Sequence, residues 1–108
     1  MEIREALDML EKYCELKPFD CIVSPLLGLI PLATIDFDVH IDGITYYSVY
    51  DKDEKIGTIG IGNDWKLKRK EMNKEKEIWI FENPENHFAY VEFEFIDKEL
   101  LRRIEKTI

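Results

Sequence analysis

Asp42-Gly43 restricts the fold of this chain more than any other feature. It stands between Ile41 and Ile44, with alternating apolar and polar residues on both sides. A two-residue loop between strands needs positive φ at both centres, which Asp-Gly supplies at little cost. The pair therefore predicts an antiparallel hairpin and sets its register from the turn outward. Ile41 faces Ile44, Val39 faces Tyr46, Phe37 faces Ser48 and Ile35 faces Tyr50. On the other side His40 faces Thr45, Asp38 faces Tyr47 and Asp36 faces Val49. A side-chain period of two sorts the first set to the core and the second to water.

The same reasoning extends the sheet. With Asp51-Lys52-Asp53-Glu54 as a four-residue loop, residues 55–62 form a third strand, placing Ile59 opposite Tyr46 and Ile61 opposite Ile44. Gly57, Gly60 and Gly62 within it mark a bulge or a close backbone approach. A second hairpin joins residues 77–82 to residues 87–96 through Asn83-Pro84-Glu85-Asn86. One face then holds Ile80 with Ala89 and Ile78 with Val91, continued by Phe93 and Phe95. The other pairs Phe81 with Phe88 and Trp79 with Tyr90, and continues with Glu92 and Glu94.

Two helices close the chain at either end. Ile3, Ala6, Leu7, Leu10, Tyr13 and Cys14 make one apolar stripe at helical period over residues 2–16, and Pro18 stops it. Asp97 stands where an N-cap belongs, ahead of the stripe Leu100, Leu101, Ile104 and Ile108. Residues 19–33 are apolar but carry Pro25, Gly28 and Pro31, so they read as a buried, irregular crossover with room for a short edge strand. The expected fold is α+β: a mostly antiparallel five-strand sheet with both terminal helices on one face, as a single domain over residues 1–108.

A chain of 108 residues can bury enough surface to fold without a metal or a disulfide. Cys14 and Cys21 lack zinc spacing and lie in apolar surroundings, as reduced thiols do. The N-terminus has no basic and apolar leader pattern, and the apolar stretch 21–33 is too short to cross a bilayer. A cytoplasmic location is the expectation. Fourteen isoleucines, two serines and no glutamine resemble thermophile usage, a bias an AT-rich genome also produces.

The net charge is −8, which opposes binding of the whole molecule to nucleic acid or an anionic membrane. The charge is uneven: residues 1–65 hold 13 acids against 5 bases, residues 66–76 hold 6 bases against 2 acids, and residues 77–108 hold 8 acids against 4 bases. The basic run reads as a solvated loop. With Trp65, the residues Lys66, Lys68, Arg69 and Lys70 are its candidates for phosphate and base contacts.

Catalytic patterns are sparse. Ser24 and Ser48 lie outside any nucleophile motif, Cys21 has only distant histidines, and the glycines of 57–62 lack the residues of a phosphate loop. Asp36, Asp38 and His40 alternate on one side of a strand, about 6.5–7 Å apart, and are the candidates for a divalent metal. No cofactor is implied. The expected open sheet face carries Trp79, Phe81, Phe88, Tyr90 and Tyr47 among Asp36, Asp38, Glu92 and Glu94. Large rings in an acidic field point to a non-enzymatic module that binds or inhibits a basic protein, or pairs with a second copy. The alternatives are a nucleic-acid-binding protein using residues 65–76 and a metal-dependent hydrolase.

Overall fold

The computed structural model describes residues 2–16, 19–23, 29–86 and 89–107, with residues 19–23 and 29–33 described by backbone alone. The chain runs α1 (Ile3–Leu16), β1 (Phe19–Val23), β2 (Leu29–Ile41), β3 (Ile44–Asp51), β4 (Glu54–Gly62), β5 (Lys66–Glu71), β6 (Glu77–Glu82), β7 (Tyr90–Phe95) and α2 (Lys98–Glu105). The fold is α+β, and the single five-strand sheet is not what forms. Two three-stranded antiparallel units, β2–β3–β4 and β5–β6–β7, take its place. Strand β1 links them, pairing with β7 and with the first residues of β2, in the order β4-β3-β2-β1-β7-β6-β5.

Two elements depart from expectation for identifiable reasons. The crossover 19–33 contains β1, which lies inside the strand order rather than at an edge. Its pairing with β2 shifts register between Ile30 and Ala33, so Pro31 falls at an irregularity, where a missing N–H is tolerated. The basic run is β5, an edge strand on β6, rather than a loop. Lys66, Lys68 and Lys70 are exposed, as lysines on a protected edge should be, while Leu67 and Arg69 turn inward.

The Asp42-Gly43 turn forms as expected, with φ of 53° and 78°. From it outward Ile41 pairs with Ile44, His40 with Thr45 and Val39 with Tyr46, and then the register shifts and Phe37 meets Tyr47. Asp38 is the extra residue of this bulge. The β3–β4 pair behaves alike: Tyr50 meets Lys55, then Val49 meets Gly57, with Ile56 as the extra residue. One inserted residue inverts the alternation beyond it. Ile35, Ile59 and Ile61 thereby join Tyr47 and Val49 on the buried side, while Val39 and Ile41 are left exposed. Gly60 gives way to a neighbour here, since a Cβ on it would stand 2.9 Å from the Tyr46 ring.

The β6–β7 pairing differs from expectation by three residues. Trp79 meets Phe93, Phe81 meets Val91 and Glu77 meets Phe95. An odd slip moves Trp79 and Phe81 from the Glu92 and Glu94 face to that of Phe93 and Phe95. All five apolar side chains are buried together with the stripes of α1 and α2. Ring contacts knit this core, with Trp79 and Phe95 centroids 4.9 Å apart and Tyr13 edge-on to Phe95 at 4.8 Å.

Helix α1 spans both units. Near its start the Leu7 carbonyl accepts from Tyr47 Oη of β3 at 3.3 Å, and near its end Tyr13 Oη accepts from the Asp97 amide at 3.1 Å. Asp97 caps α2 by accepting from the Leu100 amide at 3.0 Å.

At the far end of the sheet Glu77 is 1% exposed yet charged. It accepts from Arg102 Nη2 at 2.7 Å, Trp79 Nε1 at 2.7 Å and Arg69 Nη2 at 3.1 Å. Burial alone would raise its pKa. The hydrogen bonds from Arg102 and Trp79 and the two guanidinium charges outweigh burial, and the carboxyl sits below its ordinary value. A depressed carboxyl pKa contributes stability that is present above pH 4.5 and lost as the pH falls below it. Glu77→Ala is expected to cost roughly 2–3 kcal/mol at neutral pH, less than a fully enclosed pair because both arginines reach water. Urea unfolding at neutral and acid pH measures this, and the variant should lose less stability on acidification than the wild type does.

Candidate functional site

The structure redistributes the residues that the sequence pattern places on an open face. Trp79 and Phe81 are fully buried and Tyr47 is 1% exposed, so none of the three can meet a partner. Phe88 lies outside the described residues. Tyr90, Glu92 and Glu94 are half-buried on the opposite side of β7, where Glu94 is paired with Lys76. Of the expected contact residues that are described, only Asp36 and Asp38 stay exposed.

The nucleic-acid candidates are also separated. Trp65 packs on the core, Lys68 pairs with Glu82 at 3.5 Å, and Arg69 folds inward over the Trp79 ring at 4.9 Å from its centroid. Arg69 also binds Glu105 of α2 at 3.3 Å, which commits it to the structure. Lys66 and Lys70 remain exposed on β5.

The bulge at Asp38 likewise disperses the metal triplet. Asp36 precedes it opposite Ser48, while His40 follows it opposite Thr45 on the inward side. His40 Nδ1 lies 3.0 Å from Thr45 Oγ1. Among the described residues no group of three or more His, Cys, Asp or Glu side chains is arranged to hold a metal ion. Thr45 and His40 form a hydroxyl–imidazole pair, but among the described residues no carboxylate hydrogen-bonds the imidazole to orient it as a base.

What the fold does assemble lies at the tip of the β2–β3 hairpin against α1. A cleft of about 220 Å³ opens there, walled by Arg4, Asp8 and Glu11 of α1 and by Phe37, His40 and Tyr47 of the strands. Its α1 side is acidic because the polar flank of an amphipathic helix faces it. Among the described residues Asp8, Glu11, Asp36, Asp38 and Asp42 make no ion pair, unlike the acids around β5 and α2. Burial and the like charges of Glu15, Asp8 and Asp36 raise the pKa of Glu11. Burial, then Glu11 and Asp8, push the Tyr47 hydroxyl far above its ordinary value, so it is a neutral donor.

Three large apolar residues border this acidic region. Phe37 is 48% exposed, Val39 36% and Ile41 51%. Regular alternation assigns all three to the core; the bulge turns Val39 and Ile41 outward, while Phe37 stays on the inward side beside Tyr47 and is still half exposed. They are the additions that the sequence pattern misses, with Asp8 and Glu11. Exposed apolar and acidic side chains interleaved on one strand suit recognition of a protein better than turnover of a small molecule.

Comparison with family models, with curated proteins and with solved structures finds no match for this chain.

Core and surface roles separate in mutants. Trp79→Ala is expected to cost about 3–5 kcal/mol and Tyr47→Phe about 1 kcal/mol. Val39→Thr and Ile41→Thr should each stay within about 0.5 kcal/mol by urea unfolding. A carboxyl with a raised pKa destabilises the fold while it is charged, above that pKa, and ceases to on protonation. Glu11→Gln should therefore raise the melting temperature at neutral pH and leave it unchanged in acid.

Proposed function

We propose that this protein is a small, acidic, non-enzymatic module that binds and occludes a basic protein. The observation that carries the reading is the β2–β3 hairpin, where Phe37, Val39 and Ile41 are exposed among Asp36, Asp38 and Asp42. Carboxylates without a cationic partner among the described residues speed encounter with a positive surface. The apolar side chains then supply area that gains by leaving water. Trp79 and Phe81 take no part, and their burial removes the support that exposed rings would give a homodimer.

Among the described residues no helix is long and apolar enough to cross a membrane. We take the setting to be the cytoplasm, in keeping with the buried thiol of Cys14. Nucleic-acid binding through residues 65–76 is disfavoured because Arg69 and Trp65 are held in the fold and net charge is −8.

The reading is tested by affinity capture from the native host with three baits. A specific partner should be held by the wild type and by a variant with Lys66 and Lys70 changed to Ser. It should be lost when Asp36, Asp38 and Phe37 are replaced by Asn, Asn and Ser. A partner lost from the lysine variant alone would move the interface to β5, and a gel shift with DNA or RNA at physiological salt would replace the reading altogether.

A further inference from the structure

Strand β2 changes company along its length. One edge pairs with β3 over residues 34–41, and the other pairs with β1 only over residues 29–33. Among the described residues, no strand pairs with that second edge beyond Ala33. A strand in this position turns alternate backbone N–H and C=O groups to the open side, and they remain available to another chain.

Resting on the protein-binding reading above, we infer that the open edge of β2 from Thr34 to Ile41 accepts an extended segment of the partner as an added strand, and that this segment alternates basic and apolar residues. Main-chain hydrogen bonds to the edge would supply affinity, and side chains on either face would supply selectivity. The exposed residues fit this mode better than docking on one face. The bulge at Asp38 puts Phe37 on the inward side, beside Tyr47 with ring centroids 6.5 Å apart. Val39 and Ile41 lie on the outward side. An added strand reaches both faces of one edge.

Charge selects the occupant. Asp36 and Asp38 lie along the edge, and Asp8 and Glu11 of α1 stand beside it, all without a cationic partner among the described residues. Two copies joined edge to edge at β2 would set these aspartates against each other, which disfavours a symmetric dimer. A second copy's β5 carries lysines, but β5 joined to β2 of the next molecule is a head-to-tail contact, which builds a ring or a filament rather than a two-fold dimer.

The probe is a short blocked peptide of alternating lysine and valine, titrated into the full chain and followed by backbone amide NMR. Shifts and slowed exchange should concentrate at residues 34–41. Affinity should fall at least about tenfold when alternate peptide nitrogens are methylated, and similarly when Asp36 and Asp38 become Asn. A glutamate–valine peptide should not bind. Equal binding of the methylated peptide would overturn strand addition while leaving the acidic docking face in place. No perturbation by either basic peptide at millimolar concentration would overturn both. Concentration-dependent growth in mass by light scattering, without peptide, would make the occupant a second copy and overturn the assignment to a basic partner.

Discussion

A carboxylate that water does not reach organises one end of this molecule. Glu77 is buried on β6, and an isolated charge there would be costly. It is held by Arg102 from α2, Arg69 from β5 and the indole of its neighbour Trp79. Both arginines also reach Glu105, and Arg102 reaches Glu71. Helix α2, the edge strand and the core ring are thus tied to one group. With Glu77 opposite Phe95, Trp79 must stand opposite Phe93, and the rings all fall on the side of the helices.

This constraint determines where function can lie. The aromatic residues that a different register would have exposed are consumed by the core. The basic run that could have formed a flexible arm is pinned as an edge strand, with Arg69 drawn inward. Among the described residues no comparable tie exists at the β2–β3 tip. There the acids form no ion pair among the described residues, and the bulge turns Val39 and Ile41 outward. The surplus negative charge and apolar surface therefore coincide on one hairpin.

Much of the local structure is legible in the sequence. The stripe of α1, the Asp97 cap and the Asp42-Gly43 turn each rest on interactions within a few residues. The faces are harder to read, and the reason is the same in three places. Side-chain alternation transmits any odd shift to the end of a strand, so one extra residue at Asp38 or Ile56 inverts every side chain beyond it. At Asp38 the alternation Phe37-Asp38-Val39 is regular and gives no sign of the bulge, whereas Gly57 beside Ile56 does mark the second one. The β6–β7 register does leave a trace. A single apolar face requires Trp79 and Phe81 to join Phe93 and Phe95 rather than Glu92 and Glu94, which pairing outward from the Asn83–Asn86 loop does not detect. The Arg69–Glu77–Arg102 cluster joins distant parts of the chain and leaves no periodic signal. The site inherits these difficulties: Asp36 and Asp38 stand out in the sequence, while regular alternation assigns Phe37, Val39 and Ile41 to the core.

Everything functional depends on the rings being inside, and the β6–β7 register decides that. Cross-strand proton contacts measured by NMR report it directly. Contacts of Trp79 with Phe93 and of Phe81 with Val91 are the predicted result. Contacts of Trp79 with Tyr90 and of Ile80 with Ala89 would contradict the account, returning Trp79 and Phe81 to the face of Glu92 and Glu94.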